Sequence, residues 1–354
     1  MPHSLNPEFA MDRRSLLRLL PSGLVLSAAS LSSNAWAGEK KDKRPIALLL
    51  PLNGPRAGLG RSMQQAALLA ENADYVLAFD TGGTAEGAAR AAGEALRRHP
   101  ALILGPLTAA EVPAVGSTVA NRVPVISFSN DSVLRQPGVW IFGITATQVT
   151  SAVLRYARTR GVRSVVMIDD GSPWCAAASL AAGRMEGEIG LSLRVLQVKP
   201  GQPLPQAGDT PDAVLLPGSG EGVLAAARAL KGSGVQLLGT LQGLDNRPDS
   251  LEALDGAWLA CPDPAAFSSF AQAFAAKNGG DPGTITALAY DAAGVANKLR
   301  EANALNMNGL VDAKGFHGVT GPVRFRTDGS VARDFAIVVA SRDGYASVAV
   351  SSGS

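Results

Sequence analysis

The sequence predicts an α/β protein of two doubly wound parallel-sheet lobes with a C-terminal β-hairpin. Three observations predict it. Short apolar runs of β type alternate with Ala-rich helical stretches, the pattern of parallel strands joined by right-handed crossovers. The alternation restarts near residue 148 and supplies a second set of strands. The last segment breaks the alternation, because 322–326 and 332–341 flank the turn Thr327-Asp328-Gly329-Ser330 and read as an antiparallel pair.

Taken in order, 46–50 (IALLL) is a continuous apolar run, as a strand buried on both faces requires. A helix over 60–72, a strand over 75–79 and a helix over 85–98 follow; His99-Pro100 ends the last of these. A strand at 101–104 leads through Gly105-Pro106 to a helix over 110–121, and strands at 123–128 and 139–142 close the first set. The second set has a helix over 148–160, a strand at 164–168, a helix over 176–188 and strands at 191–198 and 213–216. A helix over 221–231, stopped by Gly232, and strands at 235–239 and 256–260 complete it. Two helices, 264–278 and 284–303, precede the hairpin. Ligands of doubly wound sheets sit beyond the carboxyl ends of the strands, so two such lobes place a ligand in the cleft between them.

Composition narrows the function. The 354 residues are 46% hydrophobic, and 32 Lys and Arg against 30 Asp and Glu leave a net charge of +2. That is too apolar for a disordered chain, and it offers no basic excess for nucleic acid. Two cysteines build neither a disulfide framework nor a four-Cys zinc site. Cys175 and Cys261 follow the first and fifth strands of the second set, three strand spacings apart in the usual order, so two free thiols are expected. Pro217 and Glu221 stand two places either side of Ser219, where a nucleophile elbow has glycines, and Gly218, Gly220 and Val223 miss the dinucleotide pattern. No enzyme, cofactor or metal site is read from the chain.

The N-terminus reads as an address. From Met11, taken as the natural start, Arg13, Arg14 and Arg18 precede a short apolar stretch and the small-x-small site Ala35-Trp36-Ala37. Residues 1–37 are therefore expected to be a leader and secretory signal, with 11–37 the signal proper. The paired arginines resemble a twin-arginine signal. No cysteine follows the apolar stretch, which argues against a lipid anchor. The expectation is a periplasmic protein with no stable membrane insertion after cleavage.

Several segments resemble the type I periplasmic binding proteins, the leucine/isoleucine/valine-binding group. Leu50-Pro51-Leu52-Asn53-Gly54-Pro55 through Glu71 is similar to that family's first strand, loop and helix. Leu104-Gly105-Pro106 with Val123-Pro124-Val125-Ile126-Ser127 resembles its third and fourth strands. Ala289-Tyr290-Asp291-Ala292 resembles its "YDA" helix, and Gly318-Val319-Thr320-Gly321-Pro322-Val323-Arg324-Phe325 its closing hairpin. The resemblance implies two lobes joined by three crossing segments, lobe one of 44–145 plus 265–320 and lobe two of 146–264 plus 321–346. It implies a receptor that presents a small polar ligand to an ABC permease. Amino-acid binders of the group carry adjacent serines after the Gly-Pro loop and a small residue then Thr after the fourth strand. Here those positions read Leu107-Thr108-Ala109-Ala110 and Ser129-Asn130-Asp131, both departures. Asp80-Thr81-Gly82-Gly83-Thr84 and Ser127-Phe128-Ser129-Asn130-Asp131 also resemble penicillin-binding-protein activators of the same fold. The alternative reading is therefore a non-transporting activator of a cell-wall synthase that works by protein contact.

Candidate ligand contacts are the polar residues after the strands. Asn53 and Arg56 follow the first; Arg56 is either a bidentate partner for an anion or a solvated loop arginine. Thr81 and Gly82 follow the second. Thr108 offers a hydroxyl at a helix start, or only a cap. Ser129, Asn130 and Asp131 end the fourth strand, Asp131 either meeting a cation or capping the next turn. In the second lobe Asp170, Trp174, Ser219 and Gln242 occupy equivalent loops, with Trp174 available to stack on a planar ligand. Tyr290 is expected near the hinge, in core or ligand contact.

Overall fold

The computed structural model describes residues 42–71, 73–198, 208–311 and 314–353. The signal-peptide reading of 1–37 lies outside them.

Sheet one forms from the first part of the chain. Its parallel order is β2-β1-β3-β4-β5, built from β1 (Ile46–Leu50), β2 (Val76–Asp80), β3 (Leu102–Leu104), β4 (Val125–Ser127) and β5 (Val139–Ile141). All five residues of β1 are buried, because helices cover both faces. Ile46, Leu48 and Leu50 join one apolar cluster, and Ala47 and Leu49 join another on the opposite side. The connecting helices are α1 (Ala57–Ala67), α2 (Ala85–Leu96) and α3 (Val112–Val119). Thr84 accepts the Gly87 N–H at 3.0 Å and sets the start of α2. Helix α1 begins three residues before the expected start, and Arg56 serves as its N-cap without a side-chain capping bond.

The second part builds α4 (Ala146–Thr159), β6 (Ser164–Asp169), α5 (Pro173–Ile189), β7 (Ser192–Gln197), β8 (Ala213–Leu216), α6 (Glu221–Ala229), β9 (Gln236–Thr240), α7 (Pro248–Ala253) and β10 (Trp258–Cys261). Two long helices, α8 (Pro264–Asn278) and α9 (Thr284–Glu301), follow, then the short α10 (Met307–Leu310). Strands β11 (Phe316–Gly318), β12 (Gly321–Phe325), β13 (Val331–Ser341) and β14 (Gly344–Ser352) finish the described chain. Sheet two has the order β11-β12-β13-β10-β9-β8-β6-β7, with β14 on the other side of β13.

The expected hairpin is present as β12 and β13, with Val323 opposite Arg333 and Phe325 opposite Val331. Helices α7 and α10 and strands β11 and β14 are not expected from the sequence pattern. Strand β14 has partly exposed residues of Ala, Ser and Val, and it is specified by pairing along β13 rather than by a strong apolar alternation of its own.

Cys175 follows β6, as expected, and stands in the first turn of α5, while Cys261 is the last residue of β10 rather than just past it. Strands β6 and β10 are separated by β8 and β9, as the usual order requires, and both thiols are free. Burial pushes Cys175 up to about 11 and Cys261 up to about 12, so neither is a thiolate at neutral pH. Ellman's reagent should count two thiols per chain in unreduced, denatured protein, and native protein at pH 8 should react far more slowly. A count of zero would show a disulfide instead.

The chain passes between the sheets three times: from β5 into α4, from β10 into α8, and from α9 into β11 through β13. A buried polar network binds two of these passages to each other. Asp291 on α9 accepts the backbone N–H groups of Val319 and Thr320, each at 2.8 Å, and the Thr320 hydroxyl at 2.5 Å. Arg333 on β13 is fully buried; it donates to the Thr320 carbonyl (3.1 Å), the Thr320 hydroxyl oxygen and the Phe142 carbonyl (2.7 Å). Its guanidinium also lies 4.8 Å from the centre of the Phe142 ring.

Candidate functional site

A cavity of about 310 Å³ lies where the carboxyl ends of both sheets meet. From the first part of the chain it is lined by Arg56 and Leu59 of the β1–α1 passage, Leu107, Thr108 and Ala109 after β3, and Phe128 and Asn130 after β4. Ile144 comes from the first passage between the sheets. Trp174 on α5, Leu241 and Gln242 after β9, and Thr284, Ile285 and Leu288 on α9 complete the wall.

The starts of several helices converge here. Arg56 is the N-cap of α1, Trp174 is the second residue of α5, and Thr284 and Ile285 open α9. Thr108 is the N-cap of a single turn, Ala109–Glu111, that leads into α3. Helix N-termini carry partial positive charge, and Arg56 adds a full one. Among the described residues no acidic side chain lines the cavity. The arrangement favours a ligand with one negative group and an apolar body.

Five expected contacts are therefore together: Arg56, Thr108, Asn130, Trp174 and Gln242. Thr108 also fills the capping role, since its backbone N–H and its hydroxyl both donate to Glu111 Oε2 at 2.8 and 2.7 Å. The Trp174 indole N–H donates to the Pro217 carbonyl at 2.9 Å, which fixes the ring beside the cavity.

The other eight lie elsewhere. The Asn53 side-chain amide donates to Asp80 Oδ2 at 2.6 Å, and Gly82, at φ +59°, donates its N–H to Asp80 Oδ1 at 2.9 Å. Thr81 is buried and its hydroxyl accepts the Gly83 N–H. Ser129 accepts the Asp131 N–H, and Asp131 accepts the Val133 N–H as the cap of the next turn. Asp170 accepts the Ser172 N–H at 2.9 Å. Ser219 lines a separate hollow of about 230 Å³ with Gly220 and Val223; Gln242 borders that hollow too. Tyr290 packs on Phe270, ring centres 5.1 Å apart, in a cluster with Ala66 and Phe274.

Asp80 thus clasps two cleft-end loops through Leu52, Asn53 and Gly82. Burial would raise its carboxyl, but these donors outweigh that and hold it below the ordinary 3.8. A depressed folded value contributes stability above pH 3.8 that is lost as pH falls through it. Asp80→Asn should lose less of its melting temperature than wild type between pH 5 and pH 2.5. Parallel curves would remove Asp80 from the acid-sensitive groups.

The apolar wall of Leu59, Leu107, Phe128, Ile144, Leu241, Ile285 and Leu288 is not expected from the sequence. One signal points to part of it. Ile285 and Leu107 stand beside helix starts and strand ends that also carry polar candidates, and Ile285 is 47% exposed.

Residues 44–345 match the family model described as "Periplasmic binding protein". The chain belongs to the periplasmic binding protein family. No curated protein matches it. Among solved structures this periplasmic binding protein is similar to one assigned as a branched-chain amino acid ABC transporter from Rhodospirillum rubrum. The two share 20% identity over 86% of this chain and 99% of that one, with a TM-score of 0.74. An ABC transporter substrate-binding protein from Sphaerobacter thermophilus matches at 18% identity, 87% and 98% coverage and a TM-score of 0.68. A solute-binding protein of an ABC transporter from Rhodopseudomonas palustris BisB5, in complex with 3,4-dihydroxy benzoic acid, matches at 17%, 87% and 97%, with 0.60. At these identities the likeness is one of fold, the type I architecture of two parallel-sheet lobes. No helix among the described residues is long and apolar enough to cross a membrane.

Proposed function

We propose that this periplasmic binding protein is the receptor of an ABC importer, closing on a small ligand between its lobes and presenting it to the permease. The cavity of about 310 Å³, walled by elements of both sheets, is the observation that carries the reading. In this reading lobe one comprises 44–145 plus 265–320 and lobe two 146–264 plus 321–346, except that β11, which pairs with β12, and the end of β14 go with lobe two. Arg56, Thr108, Asn130, Trp174 and Gln242 hold the ligand, and closure bends the three passages between the sheets. The protein works in the periplasm after export by its N-terminal signal, and it catalyses nothing. Its family membership and the transport proteins among its structural neighbours support the reading.

Thermal-shift and native mass-spectrometric screening with amino acids, amides and small organic anions tests it. A bound small molecule, with compaction of the protein on binding, is the expected result. A blank screen together with capture of a penicillin-binding protein would replace it with the activator reading.

A further inference from the structure

Resting on the receptor reading, we infer that the ligand is a small monocarboxylate with a flat or branched apolar body and no ammonium group. The cavity's charge is one-sided. Arg56 is an ionisable side chain in its wall, it makes no ion pair among the described residues, and no acid lines the wall with it. The nearby carboxylates each accept from their own loops, none of them lines the wall, and Glu111 Oε1 is buried without a partner among the described residues. Glu111 Oε2 takes both Thr108 donors, Asp131 takes the Val133 N–H, and Asp170 takes the Ser172 N–H. An α-ammonium group entering this wall would leave water and meet only neutral acceptors, a net cost for a desolvated charge. A carboxylate meets a guanidinium and the starts of α1 and α9.

The rest of the wall selects the body. The Trp174 N–H is already bonded to Pro217, so the ring offers the cavity apolar surface rather than a donor. Phe128, Leu107, Ile144 and Ile285 supply further apolar area. The volume is at the low end of ligand sites, which span roughly 300–1,000 Å³. An aromatic or branched acid of modest size fits all three constraints.

Calorimetric titration of the full chain against matched pairs tests this. The pairs are 3-phenylpropionate with phenylalanine, 4-methylpentanoate with leucine, and benzoate with benzamide. The acid lacking the amino group should bind at least tenfold more tightly than its amino acid, and benzoate at least tenfold more tightly than benzamide. Arg56→Gln, at an exposed position, should keep the wild-type melting temperature and lose the preference for benzoate over benzamide. Tighter binding of the amino acids, or an unchanged preference in Arg56→Gln, would overturn the ligand class and leave the receptor reading standing. A blank across every pair and the wider screen would overturn both.

Discussion

Asp291→Ala is expected to lower the unfolding free energy by about 3–5 kcal/mol, the cost of breaking a buried charged network from one side. The change removes the acceptor for three donors at once and leaves the Thr320 N–H buried and the Val319 N–H part-buried without that partner. It also strands Arg333, whose guanidinium has no solvent to turn to. Burial pushes the Arg333 group down to about 10, and the charge of Asp291 works against that push, so Arg333 is still a cation at neutral pH. The turn is shaped around the carboxylate as well: a Cβ on Gly318 would lie 2.3 Å from Asp291 Cγ. Urea unfolding followed by circular dichroism measures the loss. Asp291→Asn, which keeps the shape and one acceptor oxygen, should cost less than alanine. A loss under about 1 kcal/mol for alanine, the range of an exposed ion pair, would mean the network contributes little.

Gly60→Ala should act on both stability and binding. A Cβ at Gly60 would fall 1.9 Å from the Pro51 carbonyl oxygen, a backbone atom at the exit of β1. Helix α1 can relieve that overlap only by moving off the sheet, and such overpacking costs about 1–3 kcal/mol. Arg56 and Leu59 travel with α1, so whichever ligand the screen identifies should bind at least tenfold more weakly. Gly58→Ala is the control on the same helix, with nothing within 4 Å of the added Cβ. There the better helix propensity of alanine should leave stability equal or raise it by about 0.5–1 kcal/mol. Melting temperatures and calorimetry of the two variants side by side decide the matter. If Gly60→Ala matches Gly58→Ala in both, the contact between α1 and β1 has room to spare.

Much of the sheet order is legible in the sequence because buried parallel strands leave a coarse signal. The run IALLL needs no partner to be recognised, and β1 occupies the predicted residues. Strand β14 has no such signal, since its identity comes from β13. The cleft is legible in part for a different reason. Polar residues after a strand serve either a ligand or their own loop, and composition does not separate the two. Asp131 and Asp170 fold back onto neighbouring groups of their own loops and Asn53 is taken up by Asp80 at the end of β2, while Arg56, Asn130 and Gln242 line the cavity. Apolar residues such as Phe128 and Ile144 read as core in the sequence, and they are buried; one side of each nevertheless faces the cavity.

The position of β13 in sheet two sets the order in which this protein can assemble. It pairs with β12 at its start and farther along with β10 and β14, which take opposite edges, and it is buried along most of its length. Strands β6 to β10 can form a parallel sheet as soon as they exist, yet β10 keeps an open edge until residues 331–341 arrive. Three helices and the β11–β12 pair intervene, so the closing pair joins distant parts of the chain, and contacts of that kind slow folding. The lobe that carries Trp174 and Gln242 is therefore completed late, and a chain lacking β13 would present β10 as an unprotected apolar edge open to association with other chains.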